Sequence, residues 1–264
     1  MLIDAHTHLD RYEGELESAL EEIIQHKIFT LSNSMDVSSY ERNLELARRC
    51  YLVLPIFGIH PWNAPEYVEN LEDLTGYIRQ SRMLGEVGLD YFFVKDSSQY
   101  PAQRKVLEFF LAEAKRQNKS VNLHTKGAEK EILQLLKQYD IKRAIIHWYS
   151  GPMDIFKKLL DVGAYFTVGV EVLYSEDIQT ITENLPVEKL LTETDNPGGA
   201  KWLTGKIGMP SLIKEVVKKL AELKNTTPKG IIETVQANFL RSIRDDPWLK
   251  DTYNKVAEER FNHI

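Results

Sequence analysis

Two rhythms of apolar and polar positions alternate along the chain. Short, almost wholly apolar runs begin near residues 2, 28, 52, 83, 120, 143, 165 and 190 and read as strands buried on both faces. Between them apolar residues recur three and four apart, as Leu16, Ala19, Leu20, Ile23 and Ile24 do, which is the spacing of one helix face. The same spacing predicts helices over 39–50, 71–78, 101–117, 128–138, 153–160, 175–184, 211–223 and 228–240. Pro101 opens one of them, at the position where its missing N–H is harmless. Eight strand and helix units in about 240 residues predict an α/β fold, a (β/α)8 TIM barrel built as a single domain. An open doubly wound sheet is the alternative, but no Gly-x-Gly-x-x-Gly follows the first strand to recommend it.

The barrel is assigned to residues 1–243, with 196–210 as a Gly-rich loop. Residues 244–264 are charged and weakly helical after Pro247, and read as a C-terminal tail that Trp248, Tyr253 and Phe261 pack onto the barrel.

Composition narrows the classes. With 264 residues, 43% of them hydrophobic, the chain can bury a sizeable core. The single cysteine, Cys50, excludes an intrachain disulfide framework, suits a reducing compartment, and falls in a helical pattern as a buried structural thiol. No basic stretch followed by an apolar one opens the chain, and no apolar run approaches the roughly 18 residues needed to span a bilayer. A soluble, cytoplasmic protein with no membrane partner is expected. A net charge of −6 argues against wrapping long nucleic acid by counterion release, but is compatible with a small phosphate-reading pocket.

The chemistry concentrates where strands end. The first ten residues place Asp4, His6, His8 and Asp10 two apart in a strand-like run. His6 and His8 therefore share a face, with Cα atoms roughly 6.6 Å apart, a span over which two imidazoles converge on one metal ion. An isolated His-x-His is more often a core or surface pair. Here, however, five of the seven histidines (His6, His8, His60, His124 and His147) stand at predicted strand ends, together with Glu86, Asp90 and Asp195. In such barrels function sits at the carboxyl ends of the strands. The six groups His6, His8, Glu86, His124, His147 and Asp195 exceed what one tetrahedral site uses, and suit two divalent ions sharing a carboxylate. Four histidines favour zinc or manganese, and the two carboxylates leave magnesium open.

The motifs Asp-Ala-His-Thr-His-Leu-Asp (4–10), Gly-Ile-His-Pro (58–61), Gly-Glu-Val-Gly-Leu-Asp (85–90), His-Thr-Lys (124–126), His-Trp-Tyr-Ser-Gly (147–151) and Glu-Thr-Asp-Asn-Pro (193–197) occur in order. Through them the chain resembles the TatD family of metal-dependent deoxyribonucleases, within the amidohydrolase superfamily. The resemblance runs to about residue 243 and includes Ala-Asn-Phe (237–239). It implies that Glu86 bridges two ions and that the reaction is metal-assisted hydrolysis, with Asp195 as general base. His60 is either a donor to the reacting oxygen or a residue that fixes the loop around Pro61. Lys126, Lys201 and Lys206 are candidates to hold a phosphate, and Trp62, Tyr91 and Tyr149 to stack on a base or line the mouth.

The chain departs from the family pattern at Ile207-Gly208-Met209-Pro210, at Lys126 where arginine is common, and at Trp148-Tyr149, positions on the substrate side. The expected substrate is a phosphodiester at nucleic-acid ends. The alternative is an amide or ester hydrolase acting on a small metabolite or aminoacyl ester. A barrel without catalysis is disfavoured because all six candidate ligands are present.

Overall fold

Each apolar run becomes a strand in the computed structural model, which describes residues 1–258. The strands are β1 (Leu2–Thr7), β2 (Ile28–Asn33), β3 (Val53–Ile56), β4 (Leu84–Gly88), β5 (Val121–His124), β6 (Ala144–Ile146), β7 (Tyr165–Val168) and β8 (Leu190–Thr192). Neighbours pair in parallel and in chain order, β1 to β3 in one ladder and β4 to β8 in another.

Two seams join the ladders into a closed barrel. Between β3 and β4, Phe57 bridges Leu84, and Gly85 N–H donates to the Phe57 carbonyl at 2.8 Å. Between β8 and β1 the seam is made partly by side chains. The Thr192 hydroxyl donates to the Ile3 carbonyl at 2.6 Å, and Thr194 gives both its N–H and its hydroxyl to the buried Asp4 carboxylate, at 2.9 and 2.6 Å. Asp195 N–H then donates to the His6 carbonyl at 2.9 Å. The same seam thus sets the polar residues of β1 beside those that follow β8.

The helices are α1 (Leu16–His26), α2 (Val37–Arg49), α3 (Ala64–Tyr67), α4 (Thr75–Gln80), α5 (Tyr100–Gln117), α6 (Glu129–Gln138), α7 (Met153–Asp161), α8 (Glu176–Asn184), α9 (Gly198–Thr204), α10 (Ile213–Leu223), α11 (Pro228–Ser242) and α12 (Pro247–Glu258). They bury their apolar stripes on the barrel. Tyr40 of α2, Tyr77 of α4 and Phe110 of α5 all pack on Phe57, with ring centroids 5.0 to 5.7 Å apart.

The sequence-based boundaries shift where caps and packing decide. The second helix starts at Val37, two residues before its expected start, because the Asp36 carboxylate accepts from Ser39 N–H at 2.7 Å in a capping box. The run expected as one helix over 71–78 divides into a 3-10 turn, Leu71–Leu74, and α4. The expected Gly-rich loop contains α9. Glycine's low helix propensity hides this helix in the sequence, but a Cβ on Gly199 would lie 2.6 Å from the Thr194 carbonyl oxygen and 2.9 Å from the Trp148 ring.

The expected tail is helical as α12. It buries Leu249 and Tyr253, and the Tyr253 ring lies 5.3 Å from Phe29 and 5.4 Å from Phe239. Trp248 carries the Arg82 guanidinium 4.4 Å above its ring. Phe261 lies outside the described residues. Among those described, no helix is long and apolar enough to cross a membrane.

Candidate metal centre

The carboxyl ends of the strands bring five of the six candidate ligands around the sixth, the buried carboxylate of Glu86. Its two oxygens face different partners. Oε1 lies 2.8 Å from His124 Nδ1 and 3.0 Å from His147 Nε2, with His60 Nε2 at 3.4 Å. Oε2 lies 3.4 Å from His6 Nε2 and 3.3 Å from His8 Nε2. Asp195 closes that second group, its Oδ1 3.7 Å from His6 Nε2 and 3.3 Å from His8 Nε2. His6 and His147 stack with ring centroids 3.8 Å apart, so the two groups touch. Close backbone approach makes this possible: a Cβ on Gly88 would lie 2.0 Å from the His124 carbonyl oxygen. Asp195 and Trp148 adopt left-handed backbone, with φ of +52° and +40°. Non-glycine residues in that conformation carry strain of about 1–3 kcal/mol, which tends to concentrate at functional sites.

The far nitrogen of each imidazole determines what the near one presents. His6 Nδ1 meets the Asn122 Oδ1 acceptor at 3.1 Å, and His8 Nδ1 meets the Asn33 carbonyl at 2.9 Å. His147 Nδ1 faces Glu193 Oε2 at 3.4 Å, and His124 Nε2 faces Asp90 Oδ2 at 3.1 Å. An acceptor behind the ring puts the proton on the outer nitrogen, so a neutral imidazole aims a bare lone pair inward. His60 is the reverse. Its Nδ1 accepts from Trp62 N–H at 3.2 Å, which puts the proton on Nε2, the atom facing Glu86. His60 therefore offers an N–H where the other four offer lone pairs.

Four lone pairs and two carboxylates aimed at one another repel unless cations or protons lie between them. In the metal-free protein protons take that place. Burial opposes a charge on His147, but Glu86 and Glu193 outweigh it and push the group up to about 10. His8 is likewise raised well above its ordinary value: burial opposes the charge, and Asp195 and Glu86 outweigh it. Glu86 is held well below the carboxylate range against its own burial by His60, His147, His6 and His124, and Asp195 is lowered against burial by His8, His147 and His6. His60 behaves differently, for burial pushes it down to about 4 despite Glu86. The donor set fits divalent cations: imidazole nitrogens and carboxylate oxygens, oriented inward and backed by acceptors.

Of the residues expected to meet substrate, Trp62 stands at the mouth, its Nε1 donating to Asp90 Oδ2 at 2.7 Å. Lys126 is at the rim, but its ammonium is tied to the Trp148 carbonyl at 2.6 Å and to Ser150 Oγ at 2.9 Å. Lys201 and Lys206 are exposed on and just after α9. Tyr149 does not line the mouth. It is 3% exposed, its ring packs against Phe156 and Phe166, and its hydroxyl donates to the Pro152 carbonyl, because the turn at Trp148 directs it into the wall. Tyr91 is half-buried and stacked at 4.0 Å on Tyr100, with its hydroxyl on Glu131, so one ring face is already covered.

Three residues with no expected role support the centre from behind. Glu193 is wholly buried, with Oε1 accepting from Trp148 N–H at 3.0 Å and Oε2 facing His147. Asp90 joins His124 and Trp62 through Oδ2, and accepts from Phe92 and Phe93 N–H through Oδ1 at 3.0 and 2.7 Å. Asn122 orients His6. The available signal was a polar residue set within an apolar strand run, since a buried amide or carboxylate needs a partner.

The family model for TatD-related DNases matches residues 3–244. The chain belongs to the TatD-related DNase family. It is therefore a metal-dependent hydrolase of this family, as its relatives are named. The chain is 27% identical to the uncharacterized metal-dependent hydrolase YabD of Bacillus subtilis, over 92% of this chain and 99% of that one. It is also 27% identical to human deoxyribonuclease TATDN3, over 91% and 93% of the two chains. Among solved structures, the TatD homologue YjjV of Escherichia coli superposes with a TM-score of 0.83 at 25% identity, covering 90% of this chain and 96% of its own.

Proposed function

We propose that this TatD-family hydrolase cleaves phosphodiester bonds at nucleic-acid ends with two divalent ions, one held on each side of Glu86. His6, His8, Asp195 and Glu86 Oε2 would hold one ion. His124, His147 and Glu86 Oε1 would hold the other. The two donor groups suit zinc or manganese through their four imidazoles, and magnesium less well. When bound, such ions supply Lewis acidity, lowering the pKa of a water and polarising the phosphoryl oxygen under attack. Asp195, held ionised beside His8, takes the water's proton and passes it to the departing oxygen. His60 stays neutral at physiological pH and donates its Nε2–H toward the oxygen that gains charge, or to Glu86 between turnovers. Lys126 and the exposed Lys201 and Lys206 add positive charge at the mouth for a phosphate-bearing substrate. The observation that carries this reading is the inward aim of four imidazole lone pairs onto the two oxygens of one carboxylate.

The test takes chelator-treated protein, restores zinc, manganese or magnesium singly, and adds end-labelled single-stranded DNA, a chromogenic phosphodiester or a chromogenic carboxyl ester. Metal analysis should find two ions per chain, and DNA should shorten from its ends. Cleavage of carboxyl esters alone would overturn the phosphodiester assignment. No retained metal would overturn the centre.

A further inference from the structure

Around the mouth of the barrel runs an arc of exposed rings that the hydrolytic chemistry does not use. Trp62, Phe92, Phe93 and Trp202 are 47%, 57%, 43% and 65% exposed. They meet in sequence: Trp62 with Phe93 at 6.3 Å and 78°, Phe93 with Phe92 at 4.9 Å and 89°, Phe93 with Trp202 at 6.4 Å and 90°. The arc starts beside His60, 4.6 Å from Trp62, and ends at Trp148, 6.1 Å from Trp202 and next in sequence to His147. Every contact within it is edge to face, so no two of these rings are stacked on each other, and each keeps exposed surface.

The arc is also held in place. Asp90 ties Trp62 and the backbone of Phe92 and Phe93 to His124, so one carboxylate links the collar to the metal centre. Ammonium groups stand beside the rings: Lys95 lies 4.9 Å from the Phe92 centroid, and Lys201 precedes Trp202. Exposed aromatic rings with cations among them fit a ligand that carries both flat rings and anions. A duplex keeps its bases stacked inside, whereas a single strand offers them.

We propose that this collar is a base-stacking platform for single-stranded nucleic acid next to the scissile bond, with Phe93 and Trp202 as its anchors. The proposal rests on the phosphodiesterase reading for the chemistry at the centre and adds what selects the substrate. Phe93 is joined to the centre through Asp90 and Trp202 through Trp148, so both act on binding.

The test measures binding separately from turnover. Metal-loaded protein carrying Asp195→Asn is titrated by fluorescence anisotropy with an end-labelled oligothymidylate of about ten nucleotides, and with an abasic strand of equal length and charge. The base-bearing strand should bind about tenfold or more tightly than the abasic one. Adding Phe93→Ala or Trp202→Ala should bring it down to the abasic affinity, while Trp202→Phe should keep most of the preference. Equal affinity for the two strands in the parent protein, or no loss in either alanine variant, overturns the proposal. Thermal melts of both variants check that these exposed substitutions leave the fold intact. With Asp195 present, cleavage of both strands at the same KM sinks the collar and leaves the phosphodiesterase reading standing. Preference for bases without any phosphodiester cleavage does the reverse.

Discussion

The two oxygens of Glu86 face unlike neighbourhoods. Around Oε1 stand three buried imidazoles, two of which present lone pairs and one, His60, an N–H. Around Oε2 stand two imidazoles and the Asp195 carboxylate, whose side chain is 20% exposed. A metal position closed by protein ligands holds its ion, while one that keeps an open place does chemistry on water or substrate. The comparison therefore puts the open place on the Oε1 side, beside the His60 N–H, and the fuller donor set, with the Asp195 carboxylate that moves the proton, on the Oε2 side. One carboxylate facing both groups would compensate the charge of both ions of the proposed centre.

The most damaging change is Glu86→Gln. An amide keeps the shape but loses the shared charge, so metal analysis should show loss on both sides and activity should fall to background. Retention of one ion at full affinity would mean that the sides are independent. Asp195→Asn comes next. Turnover should fall roughly 10²- to 10⁴-fold, the usual contribution of a positioned general base, with the ion on the Oε1 side still bound. If that ion leaves as well, Asp195 is a structural ligand of both sites and the division of labour fails. A smaller effect is expected from Glu193→Gln, which weakens the acceptor behind His147 alone. Such supporting partners are worth about 10- to 100-fold in metal affinity. Competition with a chromogenic chelator should show the loss confined to one ion per chain, and a loss on both sides would count against the comparison.

How much of this was legible in the sequence follows from the kind of interaction involved. The strands were legible because a parallel sheet covered on both faces demands continuous apolar runs, and the ligands because polar groups break those runs where they end. The roles behind the ligands were not. Nothing local says that Glu193 reaches back to His147, or that Asp90 holds both His124 and Trp62, because these contacts cross between strands whose register only the folded barrel fixes. The orientation of His60 depends on one backbone N–H two residues along, at Trp62, and no spacing rule encodes it. Tyr149 failed as a mouth residue for a related reason. The left-handed backbone at Trp148 reverses which side chain faces the opening, and a strand's period of two stops where the strand does. Helix α9 escaped notice because two glycines lead it, and the second, Gly199, serves packing against Thr194 and Trp148 at the expense of local propensity.

The smallest expected effect concerns protons that stand in for cations. In metal-free protein His147 is pushed up to about 10 from an ordinary 6.5, and His8 is raised well above the same value, one on each side of Glu86. A histidine raised on folding contributes stability that is fully present below about pH 6.5 and lost as pH climbs toward the folded value. Glu86, lowered on folding from an ordinary 4.5, contributes above that pH and loses its contribution as pH falls. The Tm of chelator-treated protein should therefore decline as pH rises from about 6.5 toward 10. With divalent ions on the lone pairs, that alkaline decline should disappear, and loading at neutral pH should release protons, measurable by calorimetry in buffers of different ionisation enthalpy. If Glu193→Gln flattens only part of the metal-free decline, the remainder belongs to His8 and the two sides titrate separately. A metal-free Tm that is flat or rising across this range would show that the imidazoles are neutral without metal, and that the repulsion around Glu86 is relieved in some other way.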